Sequence, residues 1–270
     1  MDLGINTQTT ILEDLATLAG HSAGTTIHPC LIDLNKLGKI TDHWGLMQIS
    51  PQWLGHAELE ILKTFQLRKR QLEWLGGRIC AKEAARAFLA THPQAGSLTA
   101  QQLWIKKLDS GRPVLEISEA HRITGDLPDL SISHSGQHGI TIAAGSSCGV
   151  DIQQITPTLE RTRERFATPA ELNIIQQTWP SSTELEQLAL LWSAKEALKK
   201  AVGQKRMPGF LELILRTAQP KPKALGLLTF NRRDLPHLPL PQVAASLLSA
   251  NYALALCAQT PVTRKPQDHA

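Results

Sequence analysis

From His56 onward the apolar positions recur at steps of three and four. Leu59, Leu62, Phe65, Leu72, Leu75, Ile79, Ala84 and Phe88 mark one side of a helical stretch that runs to His92. Gly76-Gly77 falls in its middle, so the spacing predicts one or two amphipathic helices broken around the glycines, carrying Arg68, Lys69, Arg70 and Arg78. Between Arg112 and Asp151 the period shortens to two. PVLEIS, LSISHS, GITIAAG and GVDIQ are each rich in β-branched residues and bounded by Gly or Ser, and they predict strands of an antiparallel sheet. Residues 168–203 return to helix: Thr168 ahead of Pro169 and Glu171 has the form of an N-cap, and LEQLALLWSAKEALKKAVG ends at Gly203. Further on, LELILRTA, ALGLLTF and NYALALCAQ read as strands between Pro-rich connections, and the polar tail from Thr263 reads as disordered. The first 55 residues offer a strand or two and no chemical motif.

GITIAAG and YALALCA look alike at a separation of about 115 residues, which suggests two related α+β halves beside the plain alternative of chance similarity. The expected organisation is an N-terminal extension of unassigned role (1–55), a first α+β half (56–148), a second (149–262) and the tail (263–270).

Composition narrows the classes. A chain of 270 residues with 42% hydrophobic and 19% charged content can bury one large core or two smaller ones. No apolar run approaches the roughly 18 residues of a membrane span, and MDLGINTQTTILEDLA lacks the form of a secretory signal, so a soluble cytoplasmic protein is expected. Cys30, Cys80, Cys148 and Cys257 are scattered without a C-x-x-C pair, which argues for reduced, buried thiols over disulfides or zinc. Lys and Arg number 28 against 24 Asp and Glu, a net +4. That excess suits an anionic small molecule or an acidic protein partner and is too small to imply nucleic acid.

Three places can carry chemistry. In LLWSAKEALKK, helical spacing puts Trp192, Lys195, Glu196, Lys199 and Lys200 on one arc, so a lone carboxylate sits among three ammonium groups. A plain surface helix with a Glu196 to Lys200 pair, worth about 0.3–0.5 kcal/mol, fits the same pattern. In GVDIQ, Asp151 and Gln153 share one strand face, and with Glu196 they would make a hard-cation site of the Mg²⁺ kind; an Asp that merely caps the next element is the alternative. In SISHSG, Ser133, His134 and Ser135 close a strand before Gly136, a polar setting for a histidine that is either functional or idle in a turn.

Taken in order, GRP, SISHSG, GVDIQ and WSAKEALKK resemble the 4′-phosphopantetheinyl transferases of the surfactin-synthetase-activator (Sfp) type. Their hallmarks are a G-(V/I)-D-(I/V)-E strand end and a (W/F)-S-x-K-E-A-x-x-K helix. ERFATPAEL is similar to that family's F-x-x-x-E segment, and the resemblance covers about 200 residues. It implies an α+β fold of two similar halves with the active site at their junction. It also implies transfer of the phosphopantetheine arm of coenzyme A to a serine of an apo acyl, peptidyl or aryl carrier protein, with 3′,5′-ADP released and Mg²⁺ required.

By position, Asp151 and Glu196 would hold Mg²⁺, Lys200 and Lys195 would meet phosphate, and His134 would contact the nucleotide's 3′-phosphate side with Ser133 and Arg112 nearby. Arg70 and Arg78 would be further nucleotide contacts. Glu196, or a metal-bound water assisted by it, would be the base. The family strand ends D-x-E, whereas this chain has Gln153, which keeps a carbonyl donor but removes a charge. Two halves in one chain would make a monomer sufficient. A carrier-binding or coenzyme A-binding module without turnover is the alternative reading.

Overall fold

The computed structural model describes residues 5–6, 10–91, 98–117, 125–203, 207–249 and 251–261. The predicted tail from Thr263 lies outside the described residues. Two antiparallel sheets organise the chain, each with its own long helix. The first half comprises β1 (Ile5–Asn6), α1 (Thr10–Ala23), β2 (Ile27–Asp33), α2 (Leu34–Trp44), α3 (Leu46–Ile49), α4 (His56–Thr64), α5 (Arg68–Leu89), β3 (Leu103–Lys107), β4 (Pro113–Ile117), β5 (Asp129–Ser135) and β6 (His138–Ala144). Its six strands lie in the order β1-β2-β6-β5-β4-β3. The second half comprises β7 (Cys148–Gln154), α6 (Thr158–Thr162), α7 (Pro169–Thr178), α8 (Glu184–Val202), β8 (Leu213–Lys221), β9 (Leu225–Arg232), β10 (Val243–Ser249) and β11 (Tyr252–Ala258). Its five strands lie in the order β7-β11-β10-β9-β8.

The fold is α+β with two similarly built halves, as the sequence suggests. The look-alike segments GITIAAG and YALALCA are the corresponding strands β6 and β11. Both faces of β11 are covered: Ala253, Ala255 and Cys257 join the core under α8, while Tyr252, Leu254, Leu256 and Ala258 face the other sheet. A strand covered twice reads as a continuous apolar run rather than an alternating one.

A second likeness escaped the sequence reading. In the first half Lys82 is fully buried, forms an ion pair with Glu58 and donates to Trp53 O at 2.8 Å, and Ile105 N donates to Glu58 Oε1 at 3.4 Å. In the second half Lys195 is fully buried, pairs with Glu171 at 2.6 Å and donates to Phe166 O at 2.7 Å, and Leu215 N donates to Glu171 Oε1 at 2.9 Å. Each glutamate also sits at the third position of its own short helix, α4 or α7, and accepts the N–H of the capping residue.

Three expectations need correction. Residues 1–55 are no extension: β2 lies inside the six-stranded sheet between β1 and β6, and Leu12, Leu15 and Ala19 of α1 share a core cluster with Ile140 of the first sheet and Val150 and Leu254 of the second. The short, mixed apolar clusters there hid elements that fill the space between the sheets. The helix does not break at Gly76-Gly77, because α5 runs straight through them and the interruption comes before Arg68. Those glycines serve close packing; a Cβ on Gly76 would meet Leu34 Cδ2 at 2.5 Å. GVDIQ does not continue the first sheet, since β7 pairs with β11 and opens the second.

The outer edge of β7 still lies against β5, and side chains replace the missing ladder. Asp129 Oδ2 accepts from Cys148 N at 2.7 Å, Ser131 Oγ from Val150 N at 3.0 Å, Ser133 Oγ from Ile152 N at 3.4 Å and Ser135 Oγ from Gln154 N at 3.0 Å. Every acceptor precedes its donor by 19 residues. The two strands therefore run in the same direction, and period-two polar side chains satisfy an edge that would otherwise bury bare N–H groups. No helix among the described residues is long and apolar enough to cross a membrane, and all four cysteines are buried and free.

Candidate active site at the junction of the halves

Helix α8 touches β7 because position 149 is glycine. A Cβ there would stand 1.9 Å from Ala197 O and 2.8 Å from Ala201 N. That contact sets the one-turn stretch Glu196 to Lys200 against Asp151. Lys200 Nζ donates to Asp151 Oδ1 at 2.9 Å and to Val150 O at 2.8 Å, and Ser133 Oγ donates to the same Oδ1 at 2.8 Å. The other oxygen, Asp151 Oδ2, is buried without a hydrogen-bond partner. Burial pushes the Asp151 carboxyl above the ordinary aspartate value, against Lys200 and Ser133, and the charge of Glu196 adds to the push. Glu196 is ion-paired to Lys199 at 2.9 Å, whose ammonium lies 3.8 Å from the centre of the Phe210 ring.

A groove of about 200 Å³ opens beside this cluster, lined by Arg70, Glu73, Trp74, Gly77, Arg78 and His134 among others. His134 Nδ1 stands 3.7 Å from Glu73 Oε1. Burial holds its imidazole below the usual value, opposed by Glu73 and reinforced by Arg70, Lys200 and Lys69. Lys200 thus acts on both His134 and Asp151. Arg78 stacks on Trp74 at 4.5 Å, and its Nε, buried without a hydrogen bond, is ion-paired to Glu58 Oε1 at 3.8 Å. The groove is cationic, narrow and partly lined by an aromatic ring, a setting for a flat anionic ligand.

The structure brings Asp151, Glu196 and Lys200 together and sets His134, Arg70 and Arg78 along the groove, whereas three other residues lie elsewhere than expected. Lys195 does not face phosphate. It is sealed in the second core with Glu171, Phe166 O and Phe210 O as partners, and burial lowers its pKa. The helical arc puts Lys195 on the outside, whereas Glu171 of α7 and the Phe166 and Phe210 carbonyls enclose it. Arg112 does not line the groove: its guanidinium grips Asp129 with Nε at 3.2 Å and with Nη2, and donates to Ser147 Oγ at 2.9 Å and Lys200 O at 2.6 Å. It ties the first half to the last turn of α8. Ser133 is buried and bonds across the seam to Asp151, on the strand face opposite His134.

Gln153 Nε2 donates to Gln154 O at 2.7 Å. Lys107 and Trp74 of the groove were missed, because neither stands in a motif; Lys107 shares the strand face of Leu103 and Ile105 in β3, and Trp74 lies one turn after Arg70 on α5. Among the described residues no group of three or more His, Cys, Asp or Glu forms a metal cluster. A divalent cation nevertheless fits the donors present, since Asp151 offers a bare buried oxygen beside a second carboxylate.

Residues 147–257 match the family model of the 4′-phosphopantetheinyl transferase superfamily. Among solved structures, the holo-(acyl-carrier-protein) synthase of Bacillus anthracis in complex with CoA is 23% identical, with 44% of this chain and 92% of that one covered at a TM-score of 0.34. The Helicobacter pylori holo-[acyl-carrier-protein] synthase in complex with coenzyme A is 17% identical, with 44% and 97% covered at 0.35. The Plasmodium yoelii holo-ACP-synthase is 21% identical, with 44% and 91% covered at 0.35. A search of curated proteins finds no match. Asp151 and helix α8 both lie inside the matched residues, so the second half of this chain is similar to the 4′-phosphopantetheinyl transferase superfamily.

Proposed function

We propose that this chain transfers the 4′-phosphopantetheine group of coenzyme A to a serine hydroxyl of an apo acyl, peptidyl or aryl carrier protein and releases 3′,5′-ADP. The carrying observation is the buried Asp151 carboxylate, one oxygen held by Lys200 and Ser133 and the other bare, next to Glu196 and a cationic groove. Coenzyme A needs that pairing: phosphates on the nucleotide side for Arg70, Arg78, Lys107 and His134, and a pyrophosphate at the reacting end for Lys200. His134, neutral while unliganded, gains a proton as an anion settles beside it.

The serine oxygen forms a bond to the β-phosphorus as the bond to 3′,5′-ADP breaks, and Glu196, directly or through a water, takes the serine proton. Asp151 and Glu196 would hold Mg²⁺, with the Gln153 amide as a neutral donor, and the ion would supply neutralisation of the pyrophosphate charge. Both halves contribute to one site, so a monomer suffices. Carrier proteins with acidic surfaces around the serine suit the net +4 of the chain, and the buried thiols suit the reducing cytoplasm.

A second reading has its own observation. Gln153 supplies no charge and no third acid joins the pair among the described residues, which suits a module that binds coenzyme A or a carrier without turnover. Purified protein, coenzyme A, Mg²⁺ and a panel of apo carrier proteins, followed by intact mass, separates them. A gain of one phosphopantetheine group on a carrier supports the transferase. Binding of coenzyme A without that gain supports the module, and neither outcome leaves both readings overturned.

A further inference from the structure

We propose that Ser133 is a positioning residue for the metal-binding carboxylate: its hydroxyl holds the rotation of the Asp151 carboxylate, so that one oxygen stays engaged and the other stays bare. The inference rests on the metal reading of Asp151 given above. Four polar side chains of β5 face the edge of β7. Asp129 accepts from Cys148 N at 2.7 Å while paired with Arg112, and Ser131 and Ser135 only satisfy strand N–H groups, each at 3.0 Å. Ser133 differs twice. Its contact from Ile152 N is the longest of the set at 3.4 Å, and its own proton goes to Asp151 Oδ1 at 2.8 Å. The seam has been loosened at that one rung, and the hydroxyl is turned to the carboxylate.

The consequence is an asymmetric carboxylate. Oδ1 receives two donors, Ser133 and Lys200, while Oδ2 is buried with none. Partial rotation about the Cβ–Cγ bond would turn the bare oxygen out of that position. Lys200 alone does not prevent the rotation for long, because its side chain is 25% exposed and its ammonium would be drawn to any phosphate entering the site. Ser133 is short, 8% exposed and anchored on a central strand. It therefore holds the orientation after substrate has engaged the lysine. A hydrogen bond from a neutral donor also leaves the carboxylate its full charge, which a second ammonium would offset.

Mn²⁺ binding to the full chain in the presence of coenzyme A, read by water-proton relaxation enhancement, tests this without relying on turnover. Ser133→Ala should weaken Mn²⁺ binding about tenfold, the lower end for loss of an outer-shell partner, and Ser133→Thr should restore it. Ser131→Ala and Ser135→Ala remove an acceptor from the same seam without touching Asp151. They should lower the melting temperature as Ser133→Ala does and leave Mn²⁺ affinity within about twofold. Asp151→Ala supplies the reference for the metal site. If it binds Mn²⁺ as well as the wild type, the metal reading falls and the role of Ser133 with it. If Asp151→Ala loses the ion but Ser133→Ala keeps wild-type affinity, or if the Ser131 and Ser135 variants weaken binding equally, Ser133 is structural and the inference alone is overturned.

Discussion

In the first half Lys82 lies sealed beside Glu58, and in the second Lys195 lies sealed beside Glu171, each lysine followed by Glu-Ala on the long helix. Aligning the halves on these lysines puts Glu83 at the place of Glu196 and Ala87 at the place of Lys200. The strands agree: Cys30 pairs with Thr141 of β6 as Asp151 pairs with Ala255 of β11. One copy of the plan therefore has Cys, Glu and Ala where the other has Asp, Glu and Lys. What the halves share at these positions is architecture, and the Asp and the last Lys stand in the second half alone. By that criterion the first lysine of W-S-A-K-E-A-L-K-K belongs to the scaffold, while its glutamate and last lysine lie on the Asp151 side of the helix.

The sharpest way to break this comparison is to remove one shared lysine from each half. Lys195→Ala strands the buried Glu171 carboxylate and should cost about 3–5 kcal/mol of unfolding free energy in urea melts, whereas Lys82→Ala leaves Glu58 with Arg78 at 3.8 Å and should cost less. A loss below about 1 kcal/mol in Lys195→Ala would show that Glu171 does not need its partner, and the architectural assignment would fail. Smaller in energy but closer to the site is Gly149→Ala. The new methyl collides with the backbone of α8, so about 1–3 kcal/mol of overpacking is expected. Helix displacement should also lower transfer to the carrier protein even at temperatures where the variant stays folded.

The comparison is sharpened by matched glutamates. Glu196→Ala should reduce transfer at least tenfold, about 1.4 kcal/mol of barrier, while its counterpart Glu83→Ala should leave transfer unchanged. Glu83 is paired only with exposed Arg86, and such surface pairs contribute well under about 1 kcal/mol. Steady-state transfer assays with mass detection read both. Equal losses in the two variants would mean that the first half also works chemically, or that Glu196 acts only through the fold.

Much of the fold was legible where one element has one job. The capping signature at Thr168-Pro169 and the stop at Gly203 are local, and α7 and α8 begin and end there. Legibility failed where neighbours decide. Nothing between Met1 and Gly55 announces that α1 will fill the gap between two sheets, and a strand like β7 gives no sign in its own residues of which sheet it joins. The site divides in the same way. Asp151, Glu196, Lys200 and His134 come from motifs and are brought together. Lys195 was misplaced because an amphipathic arc assumes one buried side, whereas α7 and the segments carrying Phe166 and Phe210 also cover the side that the lysine occupies. Arg112 was misplaced because its partners lie 17, 35 and 88 residues away.

The smallest expected effect concerns protons, and it again separates groove from scaffold. Burial holds the imidazoles of His28, His134 and His138 below the ordinary value of 6.5. Their folded pKa values are thus depressed relative to the unfolded chain. As pH falls past about 6.5 the unfolded state takes up protons first, so stability present at pH 8 is lost progressively until the folded imidazoles also titrate. Urea midpoints at pH 8, 6.5 and 5.5 should fall in that order. His134→Gln should flatten the slope slightly, since its side chain is 40% exposed. Only His134 lies in the groove, so coenzyme A should reduce the slope in the wild type and have no such effect in His134→Gln. An identical response in both proteins would place the anion elsewhere than beside His134, and the groove would lose its assigned ligand.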